Sequence, residues 1–187
     1  MTELDPTRRR TISLIGEDWR TYHRPFLQQG FWALAFHRYG SWVRTIGFKP
    51  AYYPLRVVHL FLIKVSEVAF GISIGPNALI GRRFRIEHFG CIIIHAEARI
   101  GNDVQIRQGV TIGNLDAGRF DAVPMIDDGV SVGAGAKILG PIKIGRGAVV
   151  GANAVVIRDV PAGALAVGVP AQIKLSSRRS DSTHSGV

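Results

Sequence analysis

From Ile74 to Val156 an apolar residue returns every six positions. It does so at Ile74, Ile80 and Ile86, then at Ile94, Ile100, Ile106 and Ile112, and again at Ile126, Val132, Ile138, Ile144, Val150 and Val156. Glycine follows the anchor at Gly75, Gly81, Gly101, Gly113, Gly133, Gly145 and Gly151. A small or β-branched residue often stands four places after it, as at Ala78, Ala98, Val104, Val110, Val130, Ala136, Ala148 and Ala154. A period of six is neither that of a helix nor that of an alternating strand. It describes one short strand and one tight turn, repeated. Three such units make one coil of a triangular all-β solenoid, whose anchors point inward and stack on those eighteen residues away. Glycine after the anchor lets the backbone turn the corner, and the small fourth residue suits a narrow interior.

The period breaks twice. Ile86 to Ile94 is eight residues, and the extra pair lies near His88. Ile112 to Ile126 is fourteen, and the surplus holds Asn114 to Pro124. Excursions from a regular scaffold are where function concentrates.

Before Gly71 the pattern is helical. Asp18 reads as the cap of a helix starting at Trp19. A broadly apolar helix follows from Phe31 to Val43, and another runs from about Pro54 to Phe70, with Gly47 and Pro50 between them. The chain thus divides into a helical segment (1–70), a solenoid (71–175) and a polar, basic tail (176–187). In the helix 54–70, Arg56, His59, Lys64, Ser66 and Glu67 share roughly 160° of arc, and the rest is apolar. Its charges exclude a bilayer span. Two readings remain for it, packing on the solenoid and peripheral contact with a membrane surface.

The net charge is +9. Residues 1–70 carry ten Lys/Arg and five Asp/Glu, and residues 71–187 carry thirteen and nine. Such a balance suits phosphorylated ligands or anionic surfaces. No groove-binding helix or aromatic RNA-binding motif accompanies it, so nucleic acid is not an expected partner. Cys91 is the single cysteine, which excludes an internal disulfide and a cysteine-based zinc site. It opens the apolar run Cys91–Ile94 and reads as core. No apolar leader follows Met1, so a cytoplasmic location is expected.

The stretches FGISIGPNALIGRRFRIEHFG, IGNDVQIRQGVTIGN, VGAGAKILG and AVGVPAQI resemble the serine-acetyltransferase-like branch of the hexapeptide acyltransferases. IGRRFRIEHFG with IRQGVTIGN is most similar to O-acetyltransferases of colanic acid and other exopolysaccharides. The resemblance covers about residues 18–174. It implies a left-handed parallel β-helix, a homotrimer with active sites in clefts between neighbouring helices, and acetyl-CoA as co-substrate, with no metal. The family's catalytic histidine matches His88. Residues near the pantetheine and thioester match Gly113, Asn114, Ala134 and Ala152. Lys174, Arg178 and Arg179 follow the last coil, and their charge suits the CoA phosphates.

Two positions depart from serine acetyltransferases. Their aspartate on the preceding coil is Ser73 here, and their Arg-His-Pro triplet is Ala122-Val123-Pro124. An acid before the histidine remains as Glu87. Glu87, Ser73 and His95 are therefore the candidate acceptor-binding residues, and the expected acceptor shifts from serine to a saccharide hydroxyl of exopolysaccharide biosynthesis. Serine acetylation is the enzymatic alternative, and a scaffold solenoid is the non-enzymatic one. The γ-type carbonic anhydrases share the fold but need three histidines, and only His88 and His95 lie on the coils.

Histidine titrates near neutrality, so His88 can take the hydroxyl proton and return it to the departing thiolate. His95 is the rival base. Arg82, Arg83 and Arg85 read either as a solvated corner or as an anion site.

Overall fold

The computed structural model describes residues 10–22, 25–116 and 118–175. Three helices come first: α1 (Arg10–Thr21), α2 (Gln29–Val43) and α3 (Lys49–Phe70). Gly71 ends α3 in the left-handed conformation, φ 62°, which a glycine adopts without strain. Three strands then make the first coil: β1 (Ile72–Ile74), β2 (Leu79–Ile80) and β3 (Arg85–Glu87). The second coil is β4 (Ile92–Ile94), β5 (Arg99–Ile100) and β6 (Gln105–Arg107), and the third is β7 (Thr111–Gly113), β8 (Met125–Ile126) and β9 (Ser131–Val132). The fourth is β10 (Lys137–Leu139), β11 (Lys143–Ile144) and β12 (Val149–Val150). The fifth holds β13 (Val155–Val156), a single bridge at Val160 and β14 (Leu165–Val167). The last strand, β15 (Gln172–Lys174), folds back antiparallel on β14.

The strands stack into three parallel faces. Face A is β1-β4-β7-β10-β13, face B is β2-β5-β8-β11, and face C is β3-β6-β9-β12-β14 with β15 at its edge. The register follows the anchors: Ile74 pairs with Ile94, Ile94 with Ile112, and Ile112 with Ile138. Ile72, Ile92, Ile100, Ile106, Ile112, Ile138 and Ile144 are fully buried. Each isoleucine withdrawn from water contributes roughly 1.5–3 kcal/mol, so the central stack dominates the stability of the solenoid.

A solenoid leaves unpaired backbone at its first coil. Here the helices close it. Ser66 Oγ donates to Ile72 O on face A (2.8 Å). On face B, His37 Nε2 is 3.1 Å from Ala78 O, and Arg38 donates to Ile80 O (2.8 Å) and Gly81 O (2.7 Å). On face C, Ile86 N donates to Tyr22 Oη (2.8 Å). Arg38 also pairs with Asp18 at 2.9 Å, with side chains 5% and 1% exposed. At the α2–α3 crossing, a Cβ on Gly40 would stand 1.8 Å from His59 Nε2, so only glycine fits there.

Three sequence expectations change. Asp18 does not cap a helix at Trp19. It lies inside α1, where Arg38 demands a buried carboxylate. The helix expected from Pro54 starts at Lys49, with Pro50 in its first turn and Pro54 inside it. The polar arc of that helix is not simply its solvent face, because His59 and Ser66 turn inward while Val57, Phe61 and Val68 are exposed. Ser66 serves the Ile72 carbonyl and His59 packs against Gly40, and a helical wheel shows neither partner.

Replacing Arg38 with Met strands the Asp18 carboxylate and two carbonyls, and is expected to cost about 3–5 kcal/mol, read as a Tm lower by about 10 °C. Burial also holds the His37 imidazole down at about 3, against an ordinary 6.5. The unfolded chain therefore takes up a proton that the folded chain refuses. Stability is lost as pH falls from 6.5 towards 3, by up to about 1.4 kcal/mol per pH unit. Denaturant titrations between about pH 7 and pH 5 should show a shallower slope in His37→Gln. His59, also pushed down by burial, supplies part of the slope that remains.

Candidate active site

The corner between faces C and A carries the first irregularity. Glu87 pairs with Arg107 across β3 and β6, and Ile93 pairs with Thr111 across β4 and β7. Between those points the first turn holds five residues, Glu87 to Cys91 inclusive of its ends, where the next holds three, Arg107 to Gly109. The extra pair pushes His88 out of the coil, exposed and in left-handed backbone at φ 62°. That conformation is uncommon for a non-glycine residue, and strain of this kind clusters at functional sites. Among the described residues, no side chain hydrogen-bonds its ring.

Below His88 the same corner continues coil by coil. Gly109 N donates to Gly90 O (2.9 Å), Gly135 N to Gln108 O (2.8 Å), and Asn153 N to Ala134 O (2.8 Å). Ala134 and Ala152 are therefore neighbours on one edge of the prism, below His88. Both side chains are small, and the backbone at this edge is partly exposed.

Glu87 stands on face C beside His88. Arg85 donates to its Oε1 (2.7 Å) and Arg107 to its Oε2 (3.3 Å). The carboxylate and two guanidiniums form a mixed-charge cluster that remains partly exposed.

His95, Gly113 and Asn114 lie on a different edge, between faces A and B. The excursion after Asn114 starts there. Asn114 Nδ2 donates to Asp116 O (2.9 Å), and Asp116 Oδ1 accepts from Gly118 N (2.8 Å). Phe120 then folds back on the His95 ring, with centroids 4.5 Å apart. His95 Nδ1 accepts from Glu97 N at 3.2 Å. One chain thus divides the candidate residues between two edges, with face A between them. Ser73 lies on face A, and its hydroxyl donates to Glu67 Oε1 at 3.3 Å. Lys174 sits at the far end on β15, exposed.

Cys91 is not core. Its strand begins one residue later, at Ile92, and Cys91 takes the left-handed corner position that Gly109 and Gly135 hold below, where it is exposed. The arginine cluster is not a free anion site either. Arg82 and Arg83 hold Glu17 of α1 (2.8 and 3.0 Å), and Arg83 also holds Asp103. These hydrogen bonds keep the Glu17 and Asp103 carboxyls below the ordinary range. Arg85 belongs to the Glu87 cluster. Arg178 and Arg179, expected near the CoA phosphates with Lys174, lie outside the described residues, as do the histidines His23 and His184. Among the described residues, no three His, Cys, Asp or Glu side chains gather as metal ligands. Sequence reasoning missed Arg107, whose only signal was its place one coil below Glu87.

Comparison with known proteins agrees with this fold. Residues 124–158 match the family described as bacterial transferase hexapeptide (six repeats). The serine acetyltransferase of Escherichia coli (strain K12) is 42% identical over 153 residues, which is 81% of this chain and 54% of the relative. The chain thus spans about half the length of that curated relative. A solved serine acetyltransferase in complex with CoA superposes with a TM-score of 0.75 at 33% identity, covering 89% of this chain and 70% of the other. A soybean serine acetyltransferase complexed with serine gives a TM-score of 0.74 at 35% identity, covering 91% and 70%. The coil is accordingly the left-handed β-helix of those enzymes. The relatives are serine acetyltransferases, which overturns the expectation of a colanic-acid-type enzyme with a saccharide acceptor.

Phe120→Ala should free the excursion from His95. Hydrogen exchange is expected to quicken at the amides of residues 118–122 while those of β7 stay protected; unchanged loop exchange would show that the ring contact holds nothing.

Proposed function

The chain belongs to the hexapeptide-repeat acyltransferases, and from that premise we propose that it is an acetyl-CoA-dependent serine O-acetyltransferase. The observation that carries the reading is the 42% identity to a serine acetyltransferase across 81% of the chain. The relatives solved with CoA and with serine support the two substrates.

In this reading His88 is the general base. Its position outside the coil leaves the imidazole free to approach a hydroxyl, and an imidazole can both accept a proton and return it. The serine hydroxyl gives its proton to His88 as its oxygen attacks the thioester carbonyl. The C–O bond forms, a backbone N–H receives the oxyanion, and collapse breaks the C–S bond. The imidazolium then returns the proton to the thiolate, so O-acetylserine and CoA leave with the enzyme unchanged. The small-residue edge at Ala134 and Ala152 suits the extended pantetheine. Lys174 is the proposed partner of the phosphates, and Gly113 and Asn114 on the second edge are proposed to line the cleft.

A zwitterionic acceptor needs both signs of charge. The cluster beside His88 offers them, with Glu87 for the ammonium and Arg107 for the carboxylate. Ser73 and His95 remain acceptor-side candidates. Because one chain puts the candidates on two edges, the reading includes a homotrimer in which the edge of one copy meets the other edge of its neighbour. Segments 1–70, 71–175 and 176–187 are the proposed units. No helix among the described residues is long and apolar enough to cross a membrane.

Thiol release from acetyl-CoA in the presence of L-serine tests the assignment directly. His88→Asn, which tolerates the left-handed backbone, is expected to lower kcat/KM by about 10²–10⁴-fold with an unchanged melting temperature. Glu87→Gln should cost at most about 1 kcal/mol of stability while raising KM for serine. No thiol release with serine, or a His88→Asn enzyme within a few-fold of wild type, would sink the proposal.

A further inference from the structure

The outward side of α3 is apolar where solvent should favour charge. Tyr53, Val57, Leu60, Phe61 and Val68 fall within about 120° of arc at 100° per residue, with Lys64 among them, and all are exposed, Phe61 by 67% and Val68 by 86%. The stripe runs about 22 Å along the helix. Scattered exposed apolar residues need no explanation, but a continuous stripe marks an interaction surface.

The charges beside it choose the partner. Each acid of the described helical segment already has a cation: Glu17 has Arg82 and Arg83, Asp18 has Arg38, and Glu67 has Lys64. Arg44, Lys49 and Arg56 are left without a carboxylate among the described residues. Lys49 and Arg56 line one long border of the stripe, and Arg44 lies close enough to Arg56 for repulsion. Arg44 Nη1 is buried without a hydrogen-bond acceptor. Burial first, and Arg56 second, push the Arg44 guanidinium down. An anion beside Arg56 would offset the charge that Arg44 feels. A second copy of the same face would bring more cations instead.

We propose that α3 lies on the surface of an anionic phospholipid bilayer, its Tyr53–Val68 stripe among the acyl chains and Lys49 and Arg56 among the phosphates. The stripe supplies apolar burial and the cations supply selectivity for acidic lipid. The helix rests in the interface and does not cross it.

Sedimentation of the full chain with unilamellar vesicles tests this without any acetyl donor, so the result is independent of the acetyltransferase assignment. The chain should pellet with phosphatidylglycerol-containing vesicles and not with pure phosphatidylcholine, and salt should weaken the binding. Val57→Asp/Phe61→Asp should reduce binding at least about tenfold with an unchanged circular-dichroism melt. Should the aspartates unfold the chain, Lys49→Gln and Arg56→Gln carry the test, each weakening binding about fivefold. No pelleting, equal pelleting with both vesicles, or full binding by the folded double variant overturns the proposal. So does light scattering in which the double variant loses a subunit while the wild type ignores vesicles, since that assigns the stripe to a second copy.

Discussion

The first coil of a solenoid has no coil above it, and its backbone must be satisfied by something else. Arg38 carries the heaviest part of that task. One guanidinium reaches Ile80 O, Gly81 O and the Asp18 carboxylate, and so joins α1, α2 and face B in one buried knot. Burial raises the Asp18 carboxyl even against Arg38, so the knot depends on its partners remaining together. Ser66, His37 and Tyr22 serve the remaining faces. The helical segment is thus the end cap that lets the six-residue repeat start.

The far end is closed differently. β15 reverses and pairs with β14, Leu165 against Lys174 and Val167 against Gln172. A strand can cap a strand by backbone pairing alone, whereas helices must use side chains. That difference accounts for the buried polar side chains of the amino-terminal cap and for their absence, among the described residues, at the β14–β15 end.

The solenoid was legible because its cause is local. Each anchor must be apolar, each corner tight, and both demands recur every six residues. The two interruptions were legible for the same reason, and they carry His88 and the excursion around Phe120. What escaped was anything that depends on stacking or on tertiary partners. Arg107 meets Glu87 only because one coil lies on another. Asp18 looked like a cap because the sequence does not display Arg38 beside it. Cys91 looked like core because its corner geometry is set by the extra pair before it. The inward turn of His59 and Ser66 follows from Gly40 and Ile72, each distant in sequence.

The expectation of a saccharide acceptor arose from the same blindness. Ser73 occupies the place where the resemblance leads one to expect an aspartate, and a missing acid there argued against serine. Ser73 points outward from face A, where its identity costs the core nothing. Glu67, the fourth residue from the end of α3, reaches its hydroxyl at 3.3 Å, and Lys64 orders that carboxylate at 2.6 Å. A carboxylate is therefore present beside position 73, delivered by the cap helix and not by the strand. The outward rows of a solenoid are chemically interchangeable with whatever packs over them, so a functional group lost from a coil can return from a neighbouring element. Single positions on such a scaffold consequently specify the acceptor poorly, while the anchors beneath them specify the fold well.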